Sequence, residues 1–280
     1  MSDRTGDVGS DGEILQRLTA VVPVRNGEAL LPGCLEGLSR NGVRHVVVVD
    51  GRSSDQSRAI AAQHGAVVVS DDGRGLPYAR TLGTRTATTE LVVLVDVDVV
   101  FPDGAVAALV REFLTGGYAA LQAGQESVGG PGYWGCALAQ HHRTGLSRNW
   151  FGLVATVFHR EELLAIGFDD EFRSGEDIEL RWRLRTLGRP VGVSQAVVVQ
   201  HRFAGDDFAF AKDQFLMDGA GLGLMVRRNG LRGLRLALLP AAAATRGMLL
   251  SSVHGEGRWI RYYGAFAWWN YVGMARGVRP

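Results

Sequence analysis

Cysteine is nearly absent from this 280-residue chain. Cys34 and Cys136 stand far apart with no Cys or His at ligand spacing, which excludes a disulfide framework and a thiolate zinc site and points to a reducing, cytoplasmic setting. Long apolar runs are missing too. No stretch reaches the roughly 18 to 20 residues a spanning helix needs; the nearest, residues 236–245, holds Pro240 and is flanked by Arg235 and Arg246. The first 18 residues carry Asp3, Asp7, Asp11 and Glu13, which fits neither a signal peptide nor an apolar anchor and predicts a flexible leader. After the first strand-like segment the chain reads Pro23-Val24-Arg25-Asn26-Gly27 instead of G-x-G-x-x-G, and neither G-x-x-x-x-G-K-[ST] nor G-x-S-x-G occurs. The dinucleotide cradle, P-loop and nucleophile elbow motifs are thus absent, which leaves hydride transfer and P-loop phosphoryl transfer as minor alternatives, and no internal repeat suggests a solenoid.

What is present suits a globular enzyme. Hydrophobic residues make up 46% and charged residues 21%, both ordinary values. The net charge of +1 hides an uneven distribution: after position 220 nine arginines accompany one acidic residue, Glu256, so this segment carries +8 and the rest −7. Such asymmetry assigns an anionic partner to the tail and not to the body.

From residue 19 onward strand-like and helix-like segments alternate. Strands are predicted over 19–24, 45–49, 66–69 and 91–95, with helices over 28–39, 54–64 and 76–86 between them and another from 102 to 116. This order argues for a mostly parallel sheet flanked by helices. The following half is less regular, with strands over 118–125, 151–158 and 191–199, a glycine-rich loop at 129–132 that leads into Tyr133 and Trp134 on a mobile connection, and a helix over 178–187. Three regions result: the leader 1–18, an α/β domain 19–206, and a basic, aromatic-rich helical segment 207–280.

In a parallel sheet the C-terminal strand ends share one edge, where ligands bind. Arg25 and Asn26, Asp50, Asp71 and Asp72, and Asp96 and Asp98 all fall at such ends. Asp50 reads equally as a ligand or as an Asx turn with Gly51, and Asp71 and Asp72 read as turn formers. Asp96 and Asp98 would repel each other without a counter-charge, which favours an oxygen-ligand site for Mg²⁺ or Mn²⁺ bridging to a diphosphate. Glu176 and Asp177 open a later helix, where a carboxylate can cap the helix or serve as a general base. His201 alone is as often a satisfied strand-end histidine as a ligand.

Taken in order, Val22-Pro23-Val24-Arg25-Asn26-Gly27-Glu28, Val47-Val48-Val49-Asp50-Gly51-Arg52-Ser53-Ser54-Asp55, Gly73-Arg74-Gly75 with Ala79-Arg80-Thr81, Asp96-Val97-Asp98, Phe168-Asp169-Asp170 with Glu176-Asp177-Ile178-Glu179-Leu180, and Val199-Gln200-His201 resemble the successive signatures of family-2 glycosyltransferases of GT-A fold. The resemblance covers residues 19–205. It implies a nucleotide-sugar donor held by Pro23, Asn26 and Asp50, Arg80 near the diphosphate, Asp96 on ribose or metal, and Asp98 with His201 on a divalent metal. By the same resemblance Asp177 is the base that activates an acceptor hydroxyl of a glycan, lipid or small molecule. Gly51 and Thr81 depart from the residues usual in the family, so the nucleotide is left open.

On the acceptor side, Glu176 orients helix or acceptor, Trp182 either stacks an acceptor ring or fills the core, and Trp134 is an acceptor-wall candidate. A nucleotidyltransferase acting on a sugar phosphate is the alternative, although the turn after the first strand is short for it. A carboxylate-pair glycosidase would need no nucleotide. The aromatic, arginine-rich tail suits an anionic inner membrane face or, equally, packing against the catalytic domain or a second subunit. No nucleic-acid partner is implied.

Overall fold

Two strands, β1 (Leu18–Val24) and β4 (Leu91–Val95), are buried at every position and pair in parallel. In this computed structural model, which describes residues 9–145, 150–172, 174–202 and 205–279, successive side chains of these strands enter two separate cores. Ala20, Val22, Val93 and Val95 join one, whereas Val21, Val92 and Leu94 join the other. A period of two with both faces covered explains why the strands read as unbroken apolar runs.

The helices α2 (Leu31–Arg40), α3 (Ser57–Gln63), α4 (Leu76–Thr86) and α5 (Ala105–Gly116) alternate with β2 (His45–Asp50), β3 (Val67–Ser70), β4 and β5 (Val99–Val100). Burial of Val106, Leu109, Val110 and Phe113 on α5 gives the helical stripe that faces the first core. Each fully buried Val, Leu or Phe stabilises the fold by about 1.5–3 kcal/mol. After β6 (Ala120–Val128) and α6 (Tyr133–Thr144) come β7 (Ala155–His159), α7 (Arg160–Ile166), α8 (Glu176–Thr186) and β8 (Val191–Arg202). The sheet order is β3-β2-β1-β4-β7-β6-β8-β5.

The α/β sheet flanked by helices is the one expected from the sequence, with a parallel half and an antiparallel half. β1, β2, β3 and β4 pair in parallel, but β7 runs antiparallel to both β4 and β6, and β5 runs antiparallel to β8. Apolar periodicity reports burial and carries no information on direction. Of the expected leader, residues 1–8 lie outside the described residues, and α1 (Asp11–Gln16) is a helix opened by a Ser10–Glu13 capping box, with Ile14 and Leu15 in the core. The mobile connection expected around Trp134 is the helix α6.

The chain divides into two compact units. One unit is drawn from 9–126, 151–170 and 180–201, the other from the described residues of 127–150, 171–179 and 202–279. In the second unit α9 (Phe208–Asn229), α10 (Leu239–Val253) and α11 (Ile260–Val278) follow one another with short 3-10 turns between them. A Cβ on Gly219 would lie 2.0 Å from the Asn270 carbonyl oxygen, and one on Gly277 2.0 Å from that of Ala220. Glycine at these points lets the α9 and α11 backbones touch. Of the tail aromatics expected at a membrane face or packed on the catalytic domain or a second subunit, Trp259, Tyr262 and Tyr263 join Trp134 and Phe215 in the core of this unit, whereas Trp268 is 67% exposed.

His141 lies in this aromatic core, its ring 4.9 Å from Phe266 and 5.6 Å from Tyr263. Burial, reinforced by the positive charge of Arg246, pushes its pKa down from 6.5 to about 4. The unfolded chain therefore holds the extra proton between these values, so His141 supports stability fully above pH 6.5 and ceases to do so as pH falls through 4. The shift corresponds to about 3 kcal/mol. Denaturant unfolding at pH 7.5, 5.5 and 4.0 should show a loss of this size in the wild type that is absent in His141→Phe; parallel pH dependences would contradict it.

Candidate active site

In the first unit, a cavity of about 250 Å³ opens at the C-terminal ends of β1, β2 and β3, lined by Pro23, Arg25, Gly51, Asp71, Gly73 and Leu76 among others. Pro23 is the one expected donor-binding residue on its wall. Asn26 adopts a left-handed backbone (φ 52°) and its Oδ1 accepts the Ser54 N–H at 2.9 Å, bracing the next loop. Asp50 is buried and accepts the Ser53 N–H at 3.2 Å, the turn arrangement that the sequence left open. Asp71, read as a turn former, does accept the Gly73 N–H at 2.7 Å, but it is also a buried carboxylate on the cavity wall. Its position after β3 was the available signal.

Arg80, on α4, is buried and donates to Asp96 Oδ1 at 2.8 Å. Desolvation, with the nearby Asp98 carboxylate, raises Asp96 to about 6 against the opposing pull of Arg80 and His201. His201 Nε2 lies 3.1 Å from Asp98 Oδ2. Burial pushes the imidazole down, but Asp98 and then Asp96 outweigh it and the net direction is up. The β5–β8 ladder fixes this meeting by pairing Val99 with His201. Asp98 Oδ1 is buried and meets no hydrogen-bond donor among the described residues.

A buried carboxylate oxygen without a donor is costly unless a cation takes it. No cluster of three or more His, Cys, Asp or Glu able to hold a metal occurs among the described residues. One carboxylate and one imidazole nonetheless suit Mg²⁺ or Mn²⁺, which keep waters and complete their shells with substrate phosphates.

The second unit carries a different carboxylate group. Glu176 and Asp177 form the first turn of α8, with Glu176 buried. Trp150 donates its indole N–H to Asp177 Oδ2 at 3.2 Å. Asp218, on α9, is open to solvent yet set among dense protein; desolvation, then the charges of Asp177 and Glu176, raise its pKa to about 7. Neither Trp150 nor Asp218 was singled out from the sequence, because neither lies in a motif. Trp134, the acceptor-wall candidate, lies on α6 at 8% exposure in the aromatic core, where it touches Phe208. Trp182 is half-buried on α8.

Residues 19–159 match the model of glycosyl transferase family 2. The chain belongs to this family. Family membership makes it a glycosyltransferase and sets aside the nucleotidyltransferase and glycosidase readings. An uncharacterized glycosyltransferase of Mycobacterium tuberculosis is 29% identical over 85% of both chains. The 4,4'-diaponeurosporenoate glycosyltransferase of Staphylococcus haemolyticus is 32% identical over 33% of this chain and 27% of its own. Among solved structures, the mannosyltransferase PcManGT of Pyrobaculum calidifontis, in complex with GDP-Man and Mn²⁺, aligns with TM-score 0.66 at 19% identity, covering 94% of this chain and 87% of its own. Glucosyl-3-phosphoglycerate synthase of Mycobacterium tuberculosis, in complex with Mn²⁺, UDP and phosphoglyceric acid, aligns with TM-score 0.59 at 21% identity over 79% and 83%. These likenesses establish the GT-A fold of this family-2 chain.

Proposed function

We propose that this glycosyltransferase transfers a sugar from a nucleoside-diphosphate donor to an acceptor hydroxyl with inversion at the anomeric carbon, using a divalent metal. The observation that carries the reading is the buried Asp98 Oδ1 without a donor, beside an Oδ2 held by His201. Asp98 and His201 would hold the metal, which supplies positive charge to the diphosphate as it leaves. The complexes of the two structural neighbours with Mn²⁺ and a nucleotide or nucleotide-sugar support this assignment.

The cavity beside Pro23 receives the base, and the carboxylate of Asp71 can accept an N–H from it. Arg80 holds Asp96 in one orientation toward ribose or metal. Asp177 takes the proton of the acceptor hydroxyl. As the acceptor oxygen bonds to the anomeric carbon, the bond to the diphosphate breaks and the nucleoside diphosphate departs with the electron pair. A single displacement of this kind inverts the centre.

A screen of UDP-, GDP- and dTDP-sugars for binding and hydrolysis, with and without Mn²⁺, tests the proposal. One donor class should bind only with metal present; equal binding in excess chelator would overturn the metal assignment. The Trp150 hydrogen bond gives a finer expectation. A hydrogen bond to a charged group is worth about 1.5–3 kcal/mol, or about 10- to 100-fold in rate. Trp150→Phe should lower kcat by that factor and leave the donor KM unchanged, whereas an unchanged kcat would show that the indole does not position Asp177.

A further inference from the structure

Helix α10 is packed inside out for a helix facing water. Its buried residues are Pro240, Ala244, Gly247 and Ser251, all small or polar. Met248 packs partly on the aromatic core, but Leu249 and Val253 face outward at 62% and 72% exposure. The 3-10 turns that precede it, Gly230–Arg232 and Leu234–Leu238, add Leu231 at 90% and Leu238 at 66%, with Leu234 between them. A lone exposed leucine is unremarkable, but Leu231, Leu234 and Leu238 lie three or four apart, as do Leu249 and Val253, with the exposed Ala241, Ala242 and Thr245 between the two groups of the band. Small residues inward and large apolar residues outward is the polarity that lipid selects.

The segment Leu234–Val253 is long and apolar enough to cross a membrane by length and composition, with a mean hydropathy of 1.4. It includes the flanking Arg235 and Arg246 of the apolar run read from the sequence, and Pro240 stands in the first turn of α10, where proline is tolerated. The segment is nevertheless tied along one side to its own unit. Arg246 donates to the Thr144 carbonyl at 2.6 Å, and Tyr271 to that of Ala237 at 2.9 Å. Gly247 seats against the Tyr263 ring, where a Cβ would lie 2.0 Å away. One face alone remains for a partner, which fits a helix lying in a surface and not one crossing it.

Charge identifies the partner. Arg232 is exposed within the band, and the chain after position 220 carries +8, of which Arg227 and Arg228 are ion-paired with Glu171. A two-fold contact between copies would bring these like charges together, whereas an anionic lipid surface neutralises them. We infer that the outward band of residues 231–253 docks this glycosyltransferase in the plane of an anionic membrane, its leucines entering the acyl boundary and its arginines meeting the headgroup phosphates. The inference does not rest on the catalytic proposal.

The test is co-sedimentation of the full chain with vesicles of phosphatidylcholine containing 30% phosphatidylglycerol, compared with pure phosphatidylcholine. Partition should be at least about tenfold stronger on the anionic vesicles, from two or more arginines each adding about fivefold. Leu231→Asp with Leu238→Asp and Leu249→Asp should abolish it, and Arg232→Gln should weaken it about fivefold on anionic vesicles only. Hydrogen exchange of the wild-type chain with and without vesicles provides a readout independent of any variant's folding, with new protection expected over 231–253. A wild-type chain that stays in the supernatant overturns the inference, as does protection elsewhere alone. So does a dimer in light scattering that the three aspartates dissociate without any vesicle binding, since that result assigns the band to a second copy.

Discussion

Asp177→Asn lowers turnover by about 10² to 10⁴ while leaving the nucleotide-sugar dissociation constant within a factor of two or so, the range expected when a positioned base is lost. Asparagine keeps the size of the side chain and can still accept the Trp150 indole N–H on its amide oxygen. What it cannot do is receive a proton from the acceptor as the new C–O bond forms. The first turn of α8, with Glu176 and Glu179 beside it, should keep its geometry. Removing one carboxylate from the group that raises Asp218 should also return Asp218 toward its ordinary range. Single-turnover kinetics with saturating donor, together with titration of donor binding, separate the two effects. Normal turnover in this variant would remove Asp177 from the mechanism.

Asp98→Asn should have the opposite signature, with loss of metal-dependent donor binding and no transfer. Outer-shell changes around a metal typically cost 10- to 100-fold in affinity, so loss of a ligand charge should cost more than about 100-fold. Oδ1, which meets no donor among the described residues, sets the sign: it is the acceptor that a cation would satisfy. Titration of nucleoside diphosphate in saturating Mn²⁺, with a thermal melt to verify folding, measures the effect. Equal affinity for variant and wild type would show that Asp98 and His201 form an ion pair and nothing more. The two variants together distinguish donor capture from acceptor activation.

Much of the first unit is legible in the sequence because its elements obey simple periods. The bounds of α4 and β4 coincide with those read from residues 76–86 and 91–95, since an apolar run between polar ends and a helix opened by Leu76-Pro77 leave little freedom. Helix α6 is not legible: Gly129, Gly130 and Gly132 lead directly into it, and its apolar face is shaped by packing against α9 and α11. Strand direction in β6 and β7 is likewise a tertiary property. Within the candidate site, motif order brings Asp98 and His201 into one reading, and they lie 3.1 Å apart. Arg80 shows the limit of a motif, because its guanidinium is spent on Asp96, an arrangement that spacing alone does not specify. Trp150 reaches Asp177 from 27 positions away with no pattern to announce it.

The pairing of Val99 with His201 has a consequence for how this sequence can change over time. Because side chains alternate between the faces of a strand, deleting or inserting one residue anywhere in Val191–Arg202 upstream of the histidine would turn the imidazole to the far side of the sheet. The length of β8 is therefore locked to the chemistry at its end, while its outward-facing side chains are at liberty to vary. Related chains should accordingly accumulate substitutions along this strand but tolerate length changes only before it begins.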